Sequence, residues 1–275
     1  MDVTHRAQEQ AGAKLPQRPG FGWRQESWGW RLRSERLADH CAHGWSTRSL
    51  ELGAGDDPRG WDRLSEALGL TNGALHRLCQ VHGVKVHVAA GACLQSRPQA
   101  DLAIASDPDV TVAVQVADCA AILIVDRRTG AVAAAHAGWR GSAAGAARHA
   151  VAAMQEVLGS RPSDLSAALG PSIGPCCYEV GSGLAQAFRD GGWDAGHLAR
   201  WFTRRGDSTY LDLWQANADQ LAAAEVPPHE IAVSRLCTSC HPEWFFSYRR
   251  DGAGTGRLAG FIRPAGRAGR RPAKV

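Results

Sequence analysis

TVAVQVADCAAILIVDRRTGAVAAAHAGWRG, residues 111–141, decides the fold class. Thr111 to Val116 alternates as a strand does, and Ala121 to Val125 (AILIV) is a short apolar run of the buried-strand type. Ala131 to Ala135 (AVAAA) follows an Arg-Thr-Gly turn, so the two runs are expected to form a hairpin. Gly138 and Gly141 then lead into an Ala-rich helix expected from about Ser142 to Leu158, closed by Gly159. Working outward, Gly83 to Ala89 (GVKVHVA) alternates as a strand, and Leu165 to Leu169 forms another before the Gly-Pro loop 170–175. Asp212 is placed to cap a helix running to about Ala224, which Pro227-Pro228 stop. Ile231 to Ser234, Trp244 to Tyr248 and Arg257 to Ile262 are expected as late strands. Strands cluster and several connections are short. That pattern points to an α+β fold, mixed β-sheets flanked by helices, rather than a doubly wound sheet.

Composition bounds the rest. The chain has 275 residues, 44% hydrophobic and 21% charged, enough apolar content for a sizeable core and too much for a disordered chain. Residues 21–263 are expected to form one domain, between a flexible lead (1–20) and a basic flexible tail (264–275). Residues 263–275 carry four Arg, one Lys and no acid, which more than accounts for the net charge of +4. The body is near neutral and has no basic stripe with interleaved aromatics, so no nucleic-acid partner is expected. No run of about eighteen apolar residues is free of charge, so no membrane partner is expected. The N-terminus lacks an apolar signal core, and a cytoplasmic location follows as the expectation. There the eight cysteines should be mostly reduced, serving as core thiols, metal ligands or reactive groups.

Three segments put a metal-capable side chain at a strand end beside a tight turn: Gln80-Val81-His82-Gly83, Ala117-Asp118-Cys119 and His136-Ala137-Gly138-Trp139-Arg140-Gly141. His82 precedes a strand, Cys119 follows one, and His136 ends the strand that pairs back from Cys119's neighbour. Such ends can converge on one sheet edge. Two imidazoles and a thiolate would suit Zn2+ and leave a fourth position for water or substrate. The competing reading is of partly buried side chains satisfied by backbone groups. Cu2+ could occupy the same donors. A multicopper oxidase is not expected: the only methionines are Met1 and Met154, and no His-x-His pair occurs among eleven histidines. Cys237-Thr238-Ser239-Cys240-His241 has the spacing of a covalent haem site, but a thiol pair or a weak second metal site is the better expectation. Cys176 and Cys177 read as packing or loop residues, one of them near the site.

QVHG, VADCA, AAAHAGWRG, ALGPSIGPCCYEVG, LDLWQAN, LCTSC and FFSYRRDGAGTGR occur in that order. Over roughly residues 41–262 the chain resembles the laccase-domain family, once called multicopper polyphenol oxidases and now described as purine nucleoside phosphorylases and, for some members, peptidoglycan editing factors. The resemblance implies zinc on His82, Cys119 and His136, and a four-layer α/β/β/α arrangement. It also implies phosphorolysis of adenosine, inosine and S-methyl-5′-thioadenosine, with adenosine deamination as a second activity. His43-Gly44-Trp45-Ser46-Thr47-Arg48 matches the family's HGFSTR segment, but the loop that follows is shortened to Ser49–Gly55, which puts its substrate contacts in question here.

Each step of that chemistry needs particular side chains. Asp118, beside Cys119, is the candidate proton-handling group; its alternative role is to cap a turn or orient a neighbour. Arginine forks suit phosphate, and Arg140 between its glycines leads Arg48, Arg249 and Arg250 as candidates. One of Arg249 and Arg250 is expected to form an ion pair with Asp251 or another acid. Gln80 and Trp139 are further substrate-binding candidates, Trp139 by stacking on the base. A rival from another reaction class is a cysteine-type amide hydrolase that edits peptidoglycan precursors, with Cys119 as nucleophile and His136 as base. A third is a non-catalytic protein with a structural site.

Overall fold

The central hairpin forms. In the computed structural model, which describes residues 14–53, 58–71, 73–92 and 97–265, Ala120–Asp126 pairs antiparallel with Val132–Ala137, Ala121 opposite His136. Its turn is held by the Asp126 carboxylate, whose Oδ1 accepts from the N–H groups of Arg128 and Thr129 at 2.7 and 2.9 Å. Most of the expected lead, the tail beyond 265, Cys93 and the Ala54-Gly55 part of the shortened loop lie outside the described residues.

The hairpin sits in the middle of a six-stranded mixed sheet, in the order Ile231–Val233, Leu165–Leu169, Ala120–Asp126, Val132–Ala137, Leu102–Ala105, Val86–Ala89. Its inner pairs are antiparallel and its two outer pairs parallel. The second six-stranded sheet runs Phe21–Glu26, Gly29–Ser34, Cys41–Ser46, Leu258–Pro264, Thr111–Val116, Leu75–Arg77, and only its last pair is parallel. A small three-stranded sheet, Glu179–Val180, Ser208–Leu211 and Phe202–Arg205, stands apart.

Side-chain alternation explains the layers. Along AILIV, Ala121, Leu123 and Val125 join Val112, Val114, Val116, Leu258 and Ile262 in the core between the two large sheets. Ile122 and Ile124 point the other way, beneath Ala150, Val151, Met154 and Leu221 of the Ala146–Leu158 and Leu213–Ala223 helices. On the far side, Ala113, Ala259 and Phe261 pack under Trp61 and Leu64 of the Arg59–Ala67 helix. The result is one α+β domain layered α/β/β/α. AILIV is continuously apolar because both its faces are covered, and each fully buried Ile contributes about 1.5–3 kcal/mol.

Three expectations need correction. The helix expected as one piece from Ser142 is two, Trp139–Ala143 and Ala146–Leu158, because Gly145 adopts φ +86° and breaks the run. The strand expected from Gly83 starts only at Val86, since the N–H groups of residues 81–83 are turned onto a carboxylate instead of a neighbouring strand. Trp244 to Tyr248 is not a strand: Trp244 and Phe245 both fold back on the His241 carbonyl, and residues 244–246 bury three consecutive aromatic rings between the sheets. Burial on consecutive residues is incompatible with the two-residue period of a half-buried strand. Among the described residues, no helix is long and apolar enough to cross a membrane.

Candidate functional site

The chain passes from one large sheet to the other at Ala117-Asp118-Cys119, between Thr111–Val116 and Ala120–Asp126. Asp118 makes the crossing in the left-handed region, φ +82°, and His82 adopts φ +62°. Aspartate and histidine are among the non-glycine residues that enter this region most readily, and hydrogen bonds to both residues hold them there. His136 lies one residue from the end of its strand, next to the crossing.

These three segments meet. One ligand atom each from His82, Cys119 and His136 lies within 4.8 Å of the others, and the two imidazoles stand edge to face with centroids 4.8 Å apart. His136 is buried, Cys119 half-buried and His82 exposed, so the cluster opens on the His82 side. Gly138 allows the approach: a Cβ there would sit 2.7 Å from Cys119 Sγ and 3.3 Å from His82 Cδ2.

The organising residue is Asp101, which sequence reasoning missed. Fully buried at the entry to Leu102–Ala105, its Oδ1 accepts from His82 N–H at 2.9 Å and from His136 Nδ1 at 2.8 Å. Its Oδ2 accepts from the N–H groups of Val81 at 3.2 Å and Gly83 at 2.8 Å. One carboxylate therefore shapes the His82 loop and fixes the His136 tautomer, leaving Nε2 of His136 to face the cluster. Burial opposes the Asp101 charge, but the hydrogen bonds from His136 and the backbone outweigh it and hold the group below the usual carboxylate range. Burial likewise works against a Cys119 thiolate. The positive charge of His136 and the hydrogen bonds from both rings outweigh that burial and bring the thiol down to about 6. The thiolate and Asp101 in turn overcome the desolvation of His136 and raise it to about 9.

The other sequence candidates take distinct places. Both Asp118 carboxylate oxygens are engaged, Oδ1 by Thr238 Oγ1–H and Oδ2 by Arg249 N–H, each at 2.6 Å. Gln80 exchanges two 2.8 Å hydrogen bonds with the Gln115 backbone, so its amide ties the His82 loop to the Thr111–Val116 strand. The exposed Arg140 lies over the Trp139 ring at 4.3 Å. Arg249, also exposed, bonds the carbonyls of Cys177 and Glu179 and lies 5.3 Å over the Tyr178 ring. Arg250 is the one that pairs with Asp251, at 2.7 Å. Arg48 donates to the Pro242 carbonyl and lies 4.9 Å over Phe246, on a 3-10 turn, Arg48–Leu50. Tyr178, half-buried beneath the Arg249 guanidinium, has its hydroxyl raised first by desolvation and then by the negative charge of Cys119. A second cluster also forms: Cys176, Cys177, Cys237 and Cys240 each place a sulfur within 4.8 Å of the other three.

A family model described as multi-copper polyphenol oxidoreductase laccase matches residues 34–265. The chain belongs to this family. It is 36% identical over 243 residues to a purine nucleoside phosphorylase of Deinococcus radiodurans, covering 82% of this chain and 90% of that one. A shorter match, 36% over 158 residues, aligns it with a purine nucleoside phosphorylase of Bacteroides thetaiotaomicron, and there it spans only 58% of the relative's length. The crystal structure of YlmD from Geobacillus stearothermophilus superposes with a TM-score of 0.78 at 34% identity, covering 89% of this chain and 99% of that one. In this laccase-domain chain the donor set fits one metal ion: a cysteine sulfur beside two imidazoles, one of them backed by a buried carboxylate. His82, Cys119 and His136 are the residues that would hold it.

Proposed function

We propose that this chain is a zinc-dependent purine nucleoside phosphorylase acting on adenosine, inosine and S-methyl-5′-thioadenosine, with adenosine deamination as a side activity. The observation that carries the reading is the open cluster of His82, Cys119 and His136 backed by Asp101. It is reinforced by relatives named for phosphorolysis. Zinc held by His82, Cys119 and His136 would supply Lewis acidity and a water acidified towards about pKa 7, which suits deamination.

The chain's own residues bind and orient. Arg140, exposed on the turn that follows His136, is the guanidinium placed to meet phosphate, with Arg249, also exposed, as a second candidate. In phosphorolysis a phosphate oxygen bonds to C1′ as the C1′–N9 bond breaks. The electron pair leaves with the purine, which takes up a proton. Trp139 offers the base an aromatic face, one side of which Arg140 covers. Asp118, held by Thr238 and Arg249, orients the Cys119 turn, and each of its oxygens keeps a second lone pair for the proton-handling role. The exposed Val81 beside His82 adds apolar surface for a substrate. The site works in the cytoplasm, where its thiolate stays reduced.

The test is a product assay. Zinc-loaded protein incubated with adenosine and phosphate should release adenine and ribose 1-phosphate, and with adenosine alone some inosine. If none of the three appears, this reading fails. Cleavage of peptidoglycan peptides by the same preparation would instead favour the amide hydrolase with Cys119 as nucleophile.

A further inference from the structure

The four-cysteine cluster lies outside the machinery just described. Cys176 and Cys177 sit in the loop after Leu165–Leu169, and Cys237 and Cys240 flank Thr238-Ser239 in another. A parallel bridge between Ser172 and Cys237 brings the two loops together. Cys240 Sγ is 3.4 Å from Cys177 Sγ and 3.5 Å from Cys176 Sγ, and all four sulfurs lie within 4.8 Å of one another.

Free cysteines usually gather because they are buried as small hydrophobes. Here Cys176 and Cys240 are exposed, Cys177 is half-buried and only Cys237 is buried. Packing does not account for such a cluster, whereas a shared soft ligand does. A tetrahedral ion with metal–sulfur bonds of about 2.3 Å sets its sulfurs about 3.8 Å apart, close to the spacings seen. One disulfide fits less well, because Cys240 stands equally near two partners instead of being committed to one. The surroundings match a dianionic centre. Gly174 N–H points at Cys237 Sγ at 3.3 Å. The Arg250 guanidinium donates to the carbonyls of Thr238 and Ser239, between the second pair of cysteines, and Arg249 donates to those of Cys177 and Glu179.

We propose that Cys176, Cys177, Cys237 and Cys240 form a second, structural zinc centre, a tetrathiolate that staples the 170–177 loop to the 237–240 turn. Each thiol gives its proton to solvent as its metal–sulfur bond forms, and no oxidant is needed. The staple reaches the first site through the Thr238 side chain. Thr238, between two of its ligands, donates to Asp118, which also accepts from Arg249 N–H and makes the turn into Cys119. The second zinc thus fixes one wall of the first site, whatever reaction that site performs.

Elemental analysis of the full chain, prepared under reducing conditions with zinc and freed of loose metal, is expected to give two zinc ions per chain. Cys240→Ser and His82→Ala should each retain one, and cobalt-loaded His82→Ala should keep the intense thiolate-to-cobalt charge-transfer band of a sulfur-rich site. Should Cys240→Ser fail to fold, X-ray absorption at the zinc edge of the unaltered protein decides. The proposal expects about two and a half sulfur neighbours per zinc, against one if only the first site is filled. A single zinc per chain with one sulfur neighbour overturns the proposal. So does a mass two daltons below the fully reduced chain with only one zinc bound, which marks a disulfide instead.

Discussion

Replacing Asp101 with Asn keeps size and shape but removes the property on which the site depends. The carboxylate accepts four hydrogen bonds, two on each oxygen, all from N–H donors. An amide has one acceptor oxygen, and its NH2 must face the other two donors. If the NH2 faces Val81 and Gly83, the His82 loop loses two anchors. If it faces His136, it donates to Nδ1 and forces the ring proton onto Nε2, the nitrogen that must be bare to bind metal. Hydrogen bonds to a charged acceptor are worth about 1.5–3 kcal/mol each, so losing two predicts destabilisation of about 3–6 kcal/mol. Disturbing such an outer partner should also weaken metal binding about 10- to 100-fold. Urea unfolding gives the first quantity, and competition with a zinc chelator on folded protein gives the second. An Asp101→Asn protein that unfolds at the wild-type midpoint and holds zinc with wild-type affinity would refute the reasoning.

Gly138→Ala should leave a folded protein with zinc affinity at the first site cut at least tenfold. Its Cβ would stand 2.7 Å from Cys119 Sγ, and a metal site tolerates displacements of only about 0.2 Å; chelator competition reads the outcome. Arg140→Ala should raise the KM for phosphate about 10- to 100-fold, one charged hydrogen bond, with zinc content unchanged. His43, buried with Nε2 accepting from Ser34 N–H, is lowered from 6.5 to about 4 by desolvation first. The unfolded chain therefore takes up this proton before the folded one does. The associated stability is full above pH 6.5 and is lost as the pH falls through about 4, roughly 3 kcal/mol in all. Urea midpoints measured across that window should fall, and in His43→Gln they should fall by correspondingly less.

Much of this was legible in the chain because local pattern and tertiary role agreed. AILIV and AVAAA read as paired buried strands since both faces are covered, and His82, Cys119 and His136 stood out because each sits where a strand meets a tight turn. Asp101 did not, because an acid before an apolar strand looks like an ordinary turn residue. Its four donors come from residues 81–83 and 136, far away in sequence. The cysteine cluster was legible only in its Cys237–Cys240 half: the Cys176–Cys177 pair lies about sixty residues earlier, and the two loops meet through tertiary contacts such as the Ser172–Cys237 bridge and the Gly174 N–H on Cys237 Sγ. At Trp244 to Phe246 an apolar aromatic run suggested a strand, but tertiary packing used the three rings as a plug between sheets.

The central claim is that His82, Cys119 and His136 share one metal ion. A crystal of zinc-loaded protein, with anomalous data collected on both sides of the zinc edge, tests it directly. The account predicts a peak about 2.0–2.1 Å from one nitrogen of each imidazole and about 2.3 Å from Cys119 Sγ, with a fourth position open to solvent. A fully loaded crystal with no peak among these three side chains would contradict it.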